Sequence, residues 1–105
     1  MIKVHIKPNR ITIKGHANYD GYGKDIVCSS VSSIVTTTVN AILIFDNNTI
    51  DYKVSEGLVN IDIIKDDETT KKLIDNMVNL LEELSTDYPK NIKVEREWML
   101  WISWN

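Results

Sequence analysis

One cysteine and two histidines are the only residues in this 105-residue chain that carry a thiol or an imidazole. Cys28 lies twelve positions after His16. The thiolate is the reactive form of cysteine, and an imidazole within reach can take its proton and later return it to a leaving amine. Those residue types in that order point to nucleophilic attack on a peptide carbonyl. His5, the second histidine, falls on the charged face of a predicted strand and reads as a solvated residue. A single cysteine excludes an internal disulfide, and no Cys/His spacing matches a zinc site. No metal and no cofactor are expected.

From Asp25 to Phe45, the residues Val27, Val31, Ile34, Val35, Thr38, Ala41, Ile42 and Phe45 recur at helical spacing. The many β-branched residues favour strand by propensity, yet some 20 residues without Gly or Pro exceed the usual strand length. A helix is therefore predicted, with Asp25 as its N-cap and Cys28 in its first turn. Bare N–H groups and the helix dipole at that place favour a thiolate and suit an oxyanion. Asp25 has two rival roles, cap and orienter of His16. Ser32, one turn after Cys28 on the same face, either donates to the thiolate or a substrate carbonyl or is a small packing residue. Ser29, Ser30 and Ser33 read as small packing or solvated positions.

Between Gly15-His16-Ala17 and Asp25 runs a loop containing Tyr19, Gly21, Tyr22 and Gly23. Its glycines permit bending, so it reads as a flap that delivers His16. Tyr19 and Tyr22 are placed to flank a groove for an extended peptide.

The remaining elements follow from periodicity. Ile2, Val4 and Ile6 alternate with polar residues, Pro8-Asn9 makes a turn, and Ile11 and Ile13 resume the alternation, which is a hairpin. Ile50, Tyr52 and Val54, then Ser55-Glu56-Gly57, then Val59, Ile61 and Ile63 make a second hairpin. Asp66-Asp67-Glu68 marks the positive end of a second helix with the stripe Leu73, Met77, Leu80, Leu81 and Leu84. Tyr88-Pro89 stops it, and Ile92 and Val94 begin a last strand. The expected fold is a single α+β domain of order ββαββαβ, two hairpins and a C-terminal strand forming a sheet packed against two long helices. The domain is assigned to 1–97. The tail 98–105 holds all three tryptophans, and it either extends the last strand, packs within the chain or at an interface, rests on a membrane, or is an appended sequence.

The net charge of −3 argues against nucleic acid as the main partner, although a local basic strip is compatible with it. The start of the chain lacks the apolar core of a signal peptide, so a reducing cytoplasm is the expected compartment. The unbroken apolar runs fall well short of the roughly 20 residues that span a bilayer, and no membrane partner is expected.

Gly15-His16-Ala17, then Tyr22-Gly23-Lys24-Asp25-Ile26-Val27-Cys28, then Ser32 resembles the bacterial ribosomal-processing cysteine proteases called Prp. The resemblance covers residues 1 to about 96. It implies an endopeptidase that removes a short N-terminal extension from large-subunit ribosomal protein twenty-seven, cutting after an aromatic pair and before a small residue. It also implies a homodimer with a mobile loop between histidine and cysteine. Cys28 matches the nucleophile and His16 the general base, while Asp25 and Ser32 match positions that accompany them. Gly15 and Gly23 match the glycines that bracket the flap. The serine pair after Cys28 and the tryptophan-rich end depart from the family pattern. Two other readings stand beside the protease: a noncatalytic binding module for a ribosomal protein or assembly factor, and an RNA-associated factor.

Overall fold

The computed structural model describes residues 1–15 and 22–97. Its elements are β1 (Ile2–Lys7), β2 (Arg10–Lys14), α1 (Tyr22–Phe45), β3 (Ile50–Ser55), β4 (Leu58–Ile63), α2 (Glu68–Asp87) and β5 (Ile92–Arg96). This is the expected ββαββαβ order. The five strands form one sheet in the order β3-β4-β2-β1-β5. Strand β5 runs parallel to β1, and the other neighbours are antiparallel.

Alternation builds one buried face. Val4 lies opposite Ile13 and Val94, and Ile11 lies opposite Ile6 and Ile61, so branched side chains meet across four strands. Both helices cover that face, with Val27, Val31, Val35, Val39 and Ile42 of α1 meeting Ile74, Met77, Val78 and Leu81 of α2 in one core. The opposite face is polar. There Thr12 donates to Asn60 at 2.8 Å, and Arg10 forms a bidentate pair with Asp62 at 2.6 and 3.2 Å, which holds the guanidinium above its ordinary pKa.

The start of α2 is closed as its acidic residues suggest. Asp67 is the N-cap and accepts from the Thr70 N–H at 2.8 Å, which holds its carboxyl below the ordinary range. Thr70 is fully buried and its hydroxyl donates to Thr49 at 2.9 Å, tying α2 to the entry of β3. Thr49 in turn accepts the N–H of Ile64 on its carbonyl, so one buried threonine joins the ends of four elements. At the other end of α2, Glu82 takes a bidentate pair from Arg96 of β5 at 2.9 and 2.8 Å.

Several expectations are corrected. Helix α1 starts at Tyr22, so Tyr22 and Gly23 are helical rather than flap residues, and Asp25 is in the first turn rather than at the cap. An acidic residue type there still complements the positive end of the helix dipole. The buried stripe of α1 includes Val39 but neither Ala41 nor Phe45, which are exposed, as is Ile44. Ile42, in the same last turn, is fully buried, so the exposure of Ala41 and Ile44 reflects the side of the helix they occupy and not the end of its packing. In α2, Leu80 is exposed while Ile74 and Val78 are buried. His5 is half-exposed but has a neighbour, Glu95, at 3.5 Å. Residues Ile26–Phe45 are long and apolar enough to cross a bilayer, with mean hydropathy 1.6, but their apolar stripe lies against the sheet and α2.

Candidate active site

Cys28 is the seventh residue of α1 and is half-buried, packed against the core cluster. Its setting follows from the local sequence. Val27, Val31 and Val35 are at most 4% exposed and fasten this stretch to the core, and Cys28 shares a helical edge with Val31 and Val35. Lying in the second turn corrects one part of the expected activation. The unpaired N–H groups belong to the first turn, about 9 Å from the seventh residue for the outermost, and the dipole effect fades within that turn. Backbone N–H groups at the helix start are therefore not immediate neighbours of this sulfur.

Ser32 lies one turn further along α1 and is exposed. Ser30 turns its hydroxyl back to the Ile26 carbonyl at 2.8 Å, a bond that satisfies the side chain within its own helix. Ser29 and Ser33 are exposed. On the far side from Cys28, Ser29, Ser30, Ser33, Ile34, Leu80 and Leu84 line an open groove of about 430 Å³ between the two helices, with Asp87 at its rim. A second cleft, of about 410 Å³, lies at the Pro8-Asn9 turn and the start of α2, where partial burial raises the Asp75 carboxyl and nearby Arg96 and Lys71 oppose the rise. That cleft contains neither Cys28 nor its helical neighbours. Among the described residues no cluster of three or more His, Cys, Asp or Glu is placed to hold a metal.

Gly15 forms the root of the segment that carries His16. Its φ is +82°, and a Cβ added there would stand 2.8 Å from the Met1 carbonyl oxygen, so only glycine fits. Its N–H donates to the Gly57 carbonyl at 2.9 Å, and Gly57 itself has φ +69°. The chain therefore leaves β2 at a position fixed by the β3–β4 turn and by the N-terminal residue. Sequence reasoning identified Gly15 but not its partners. Gly57 was legible only as a turn residue, because nothing in one-dimensional spacing says that β4 pairs with β2. His16, Ala17, Tyr19 and Gly21, and the tail 98–105, lie outside the described residues.

A two-layer α+β domain with a single core-anchored, half-buried thiol on its first helix has the makings of a thiol hydrolase. The profile of the family described as "Cysteine protease Prp" matches residues 1–93, and the chain belongs to that family of cysteine proteases. It is 30% identical over 94 residues to the ribosomal processing cysteine protease Prp of Bacillus subtilis (strain 168), covering 76% of this chain and 78% of that protein. It is 28% identical over 107 residues to the Prp of Mycoplasma genitalium, covering 92% and 97%. In fold it is similar to the S. aureus Prp solved with a substrate peptide, at TM-score 0.86 and 24% identity over 92% of this chain and all of that one. The S. aureus protease solved with a covalently linked product peptide gives TM-score 0.83, again at 24% identity, over 92% of this chain and 100% of that one.

Proposed function

We propose that the chain is an endopeptidase that removes a short N-terminal extension from large-subunit ribosomal protein twenty-seven, cutting after an aromatic pair and before a small residue. Cys28 is the nucleophile and His16 the general base. The Cys28 thiolate attacks the scissile carbonyl, and the protonated imidazole delivers its proton to the departing amine. The thioester then reacts with water, which regenerates the thiol and releases the extension as an acid. With Cys28 in the second turn of α1, ionising the thiol depends chiefly on the imidazole. Asp25 and Ser32 are supporting positions, and Tyr19 and Tyr22 flank the peptide. The chain works as a homodimer in the cytoplasm without a cofactor.

The observation that carries this reading is the family match over residues 1–93, a span that includes both His16 and Cys28. The fixed backbone at Gly15 supports it, since it gives the His16 loop a defined point of departure. Incubating the purified protein with an N-terminal peptide of the ribosomal protein from its own source, and reading product masses, tests it. A single cut after the aromatic pair is expected, lost in Cys28→Ala and His16→Ala variants that keep the native circular dichroism. A folded Cys28→Ala protein that cuts at the normal rate overturns the mechanism. Binding of the peptide without turnover by the unaltered protein turns the reading to the noncatalytic module, for which the groove beside Ser33 and Leu84 is a ready surface.

A further inference from the structure

At the end of the sheet where β1, β4 and β5 finish and α2 begins, Pro8, Ile63, Ile64 and Ile74 form the apolar wall of the cleft of about 410 Å³. Ile64 is 62% exposed there, although its N–H is fixed to the Thr49 carbonyl at 2.8 Å. Lys65, Lys71, Asp66 and Asp75 complete the lining, so the cleft carries no excess charge. Lys71 is engaged by Asp66, and Lys65 reaches Asp46 at 3.9 Å. The Asp75 carboxylate, which partial burial has stripped of some of its water, lines the cleft as an acceptor. Such a lining suits a neutral aromatic group with one donor better than it suits an ion.

Strand β5 leads to this cleft. Ile92, Val94 and Arg96 alternate onto the face beneath α2, where Arg96 meets Glu82. The parallel ladder beside β1 is kept through Glu97, whose N–H donates to the Ile6 carbonyl at 2.9 Å. The next bond of that ladder would join the Glu97 carbonyl to the N–H of residue 8, and Pro8 has none. The ladder therefore stops one residue before Trp98, beside a proline that lines the cleft. The alternation that turns Ile92, Val94 and Arg96 inward assigns position 98 to the same face.

We propose that the segment 98–105 docks across this end of the domain, with the Trp98 indole seated between Pro8, Ile64 and Ile74 and its N–H donating to Asp75. The segment has no charged side chain, which matches the neutral lining, and indole combines an apolar body with a single donor. The cleft is at the small end of those that hold an organic ligand, about 300–1,000 Å³, and so suits one such ring. Covalent linkage selects this occupant over a free one. A ring one residue beyond the last ladder bond meets the cleft at an effective concentration of about millimolar order. Past the cleft, Ile64, Phe45 and Ile44 offer exposed apolar surface for the rest of the segment. Crossing from β5 to β3 takes roughly 19 Å at the usual strand spacing, and eight residues reach about 26–29 Å. Gly15 leaves β2 at the opposite end of the sheet, so nothing in this proposal depends on the protease reading.

The test uses the whole chain with one tryptophan left, Trp101→Phe/Trp104→Phe, and reads acrylamide quenching of Trp98. Quenching is expected to be at least threefold weaker than that of N-acetyltryptophanamide, with the protection lost in 8 M urea. In the same background, Ile64→Glu and Asp75→Ala should each at least double the quenching constant. Val54→Glu, at an exposed residue at the far end of β3, should leave it unchanged, and circular dichroism verifies the fold of each variant. A Trp98 quenched like the free amide overturns the proposal. Protection that neither cleft variant lowers, or that Val54→Glu lowers equally, overturns it too. Protection that grows with protein concentration between 1 and 50 μM overturns it in favour of a second copy in the cleft. Protection acquired only with anionic lipid vesicles overturns it in favour of a membrane surface.

Discussion

Helices α1 and α2 cover the same face of one sheet, yet they are helical for different reasons. In α2 the local sequence suffices in kind: Asp67 caps it, Glu68 and Lys72 pair one turn apart, and strong helix formers flank the buried Ile74, Met77 and Leu81. In α1 the run Val31–Val39 is rich in Val, Ile and Thr, and no charged side chain occurs from Ile26 to Phe45. These residues are weak helix formers, and burial of Val27, Val31, Val35, Val39 and Ile42 makes the helix worthwhile. The thiol is on the second kind of helix. Its geometry therefore depends on packing more than that of any residue on α2.

The largest effects come from the core. Leu81→Ala in α2 is expected to cost roughly 2–5 kcal/mol and Val31→Ala in α1 about 1.5–3, both read by urea unfolding. Only Val31→Ala should also speed alkylation of Cys28 by iodoacetamide beyond what the change in global stability explains. Equal acceleration in Leu81→Ala would break the contrast and make the two helices one cooperative unit.

Next comes the root of the His16 segment. Gly15→Ala must hold φ +82° with its Cβ against the Met1 carbonyl, and should cost on the order of 1–3 kcal/mol. Gly57→Ala meets open space and bears only the backbone strain, so its melting temperature should fall less. If the two match, the close approach at Met1 contributes nothing.

Thr70→Val deletes the buried hydroxyl that reaches Thr49 and should cost about 1 kcal/mol in the same unfolding assay. An unchanged stability would mean that Thr49 is satisfied by the Asp46 carbonyl alone.

Smallest is the cap. The Asp67 carboxyl is held below its ordinary pKa by the Thr70 N–H, so its stabilising contribution is full above the unfolded-state value, about 4, and is lost as pH falls through the folded one. Asp67→Ala should lower the melting temperature at pH 7 and lose that difference at pH 2. A constant difference across that range would show that the carboxylate charge is not what caps α2.

Much of this was open to reading along the chain. Ile2-Val4-Ile6, Ser55-Glu56-Gly57 and the acidic start of α2 each signal through spacings of a few residues, and the folded chain keeps those assignments. The start of α1 is not legible locally, because Gly23 is a poor helix former and Tyr22 precedes any periodic apolar residue, so nothing local extends the helix back to them. At its end Ala41 and Phe45 continue a good helical pattern, yet of residues 41–45 only Ile42 is fully buried, because the elements packed against a helix decide which side is covered.

By itself the sequence determined which segments are strands and helices, which residue carries a thiol, and where the turns fall, because periodicity and turn chemistry act over neighbouring residues. The tertiary structure alone decided that β5 lies parallel beside β1 and β4 beside β2, that Gly15 is held by Gly57 and Met1, and that Pro8, Ile64 and Asp75, far apart in the chain, share a cleft. Those are encounters between distant segments, and they are set by the joint burial of surfaces that no short window of sequence contains.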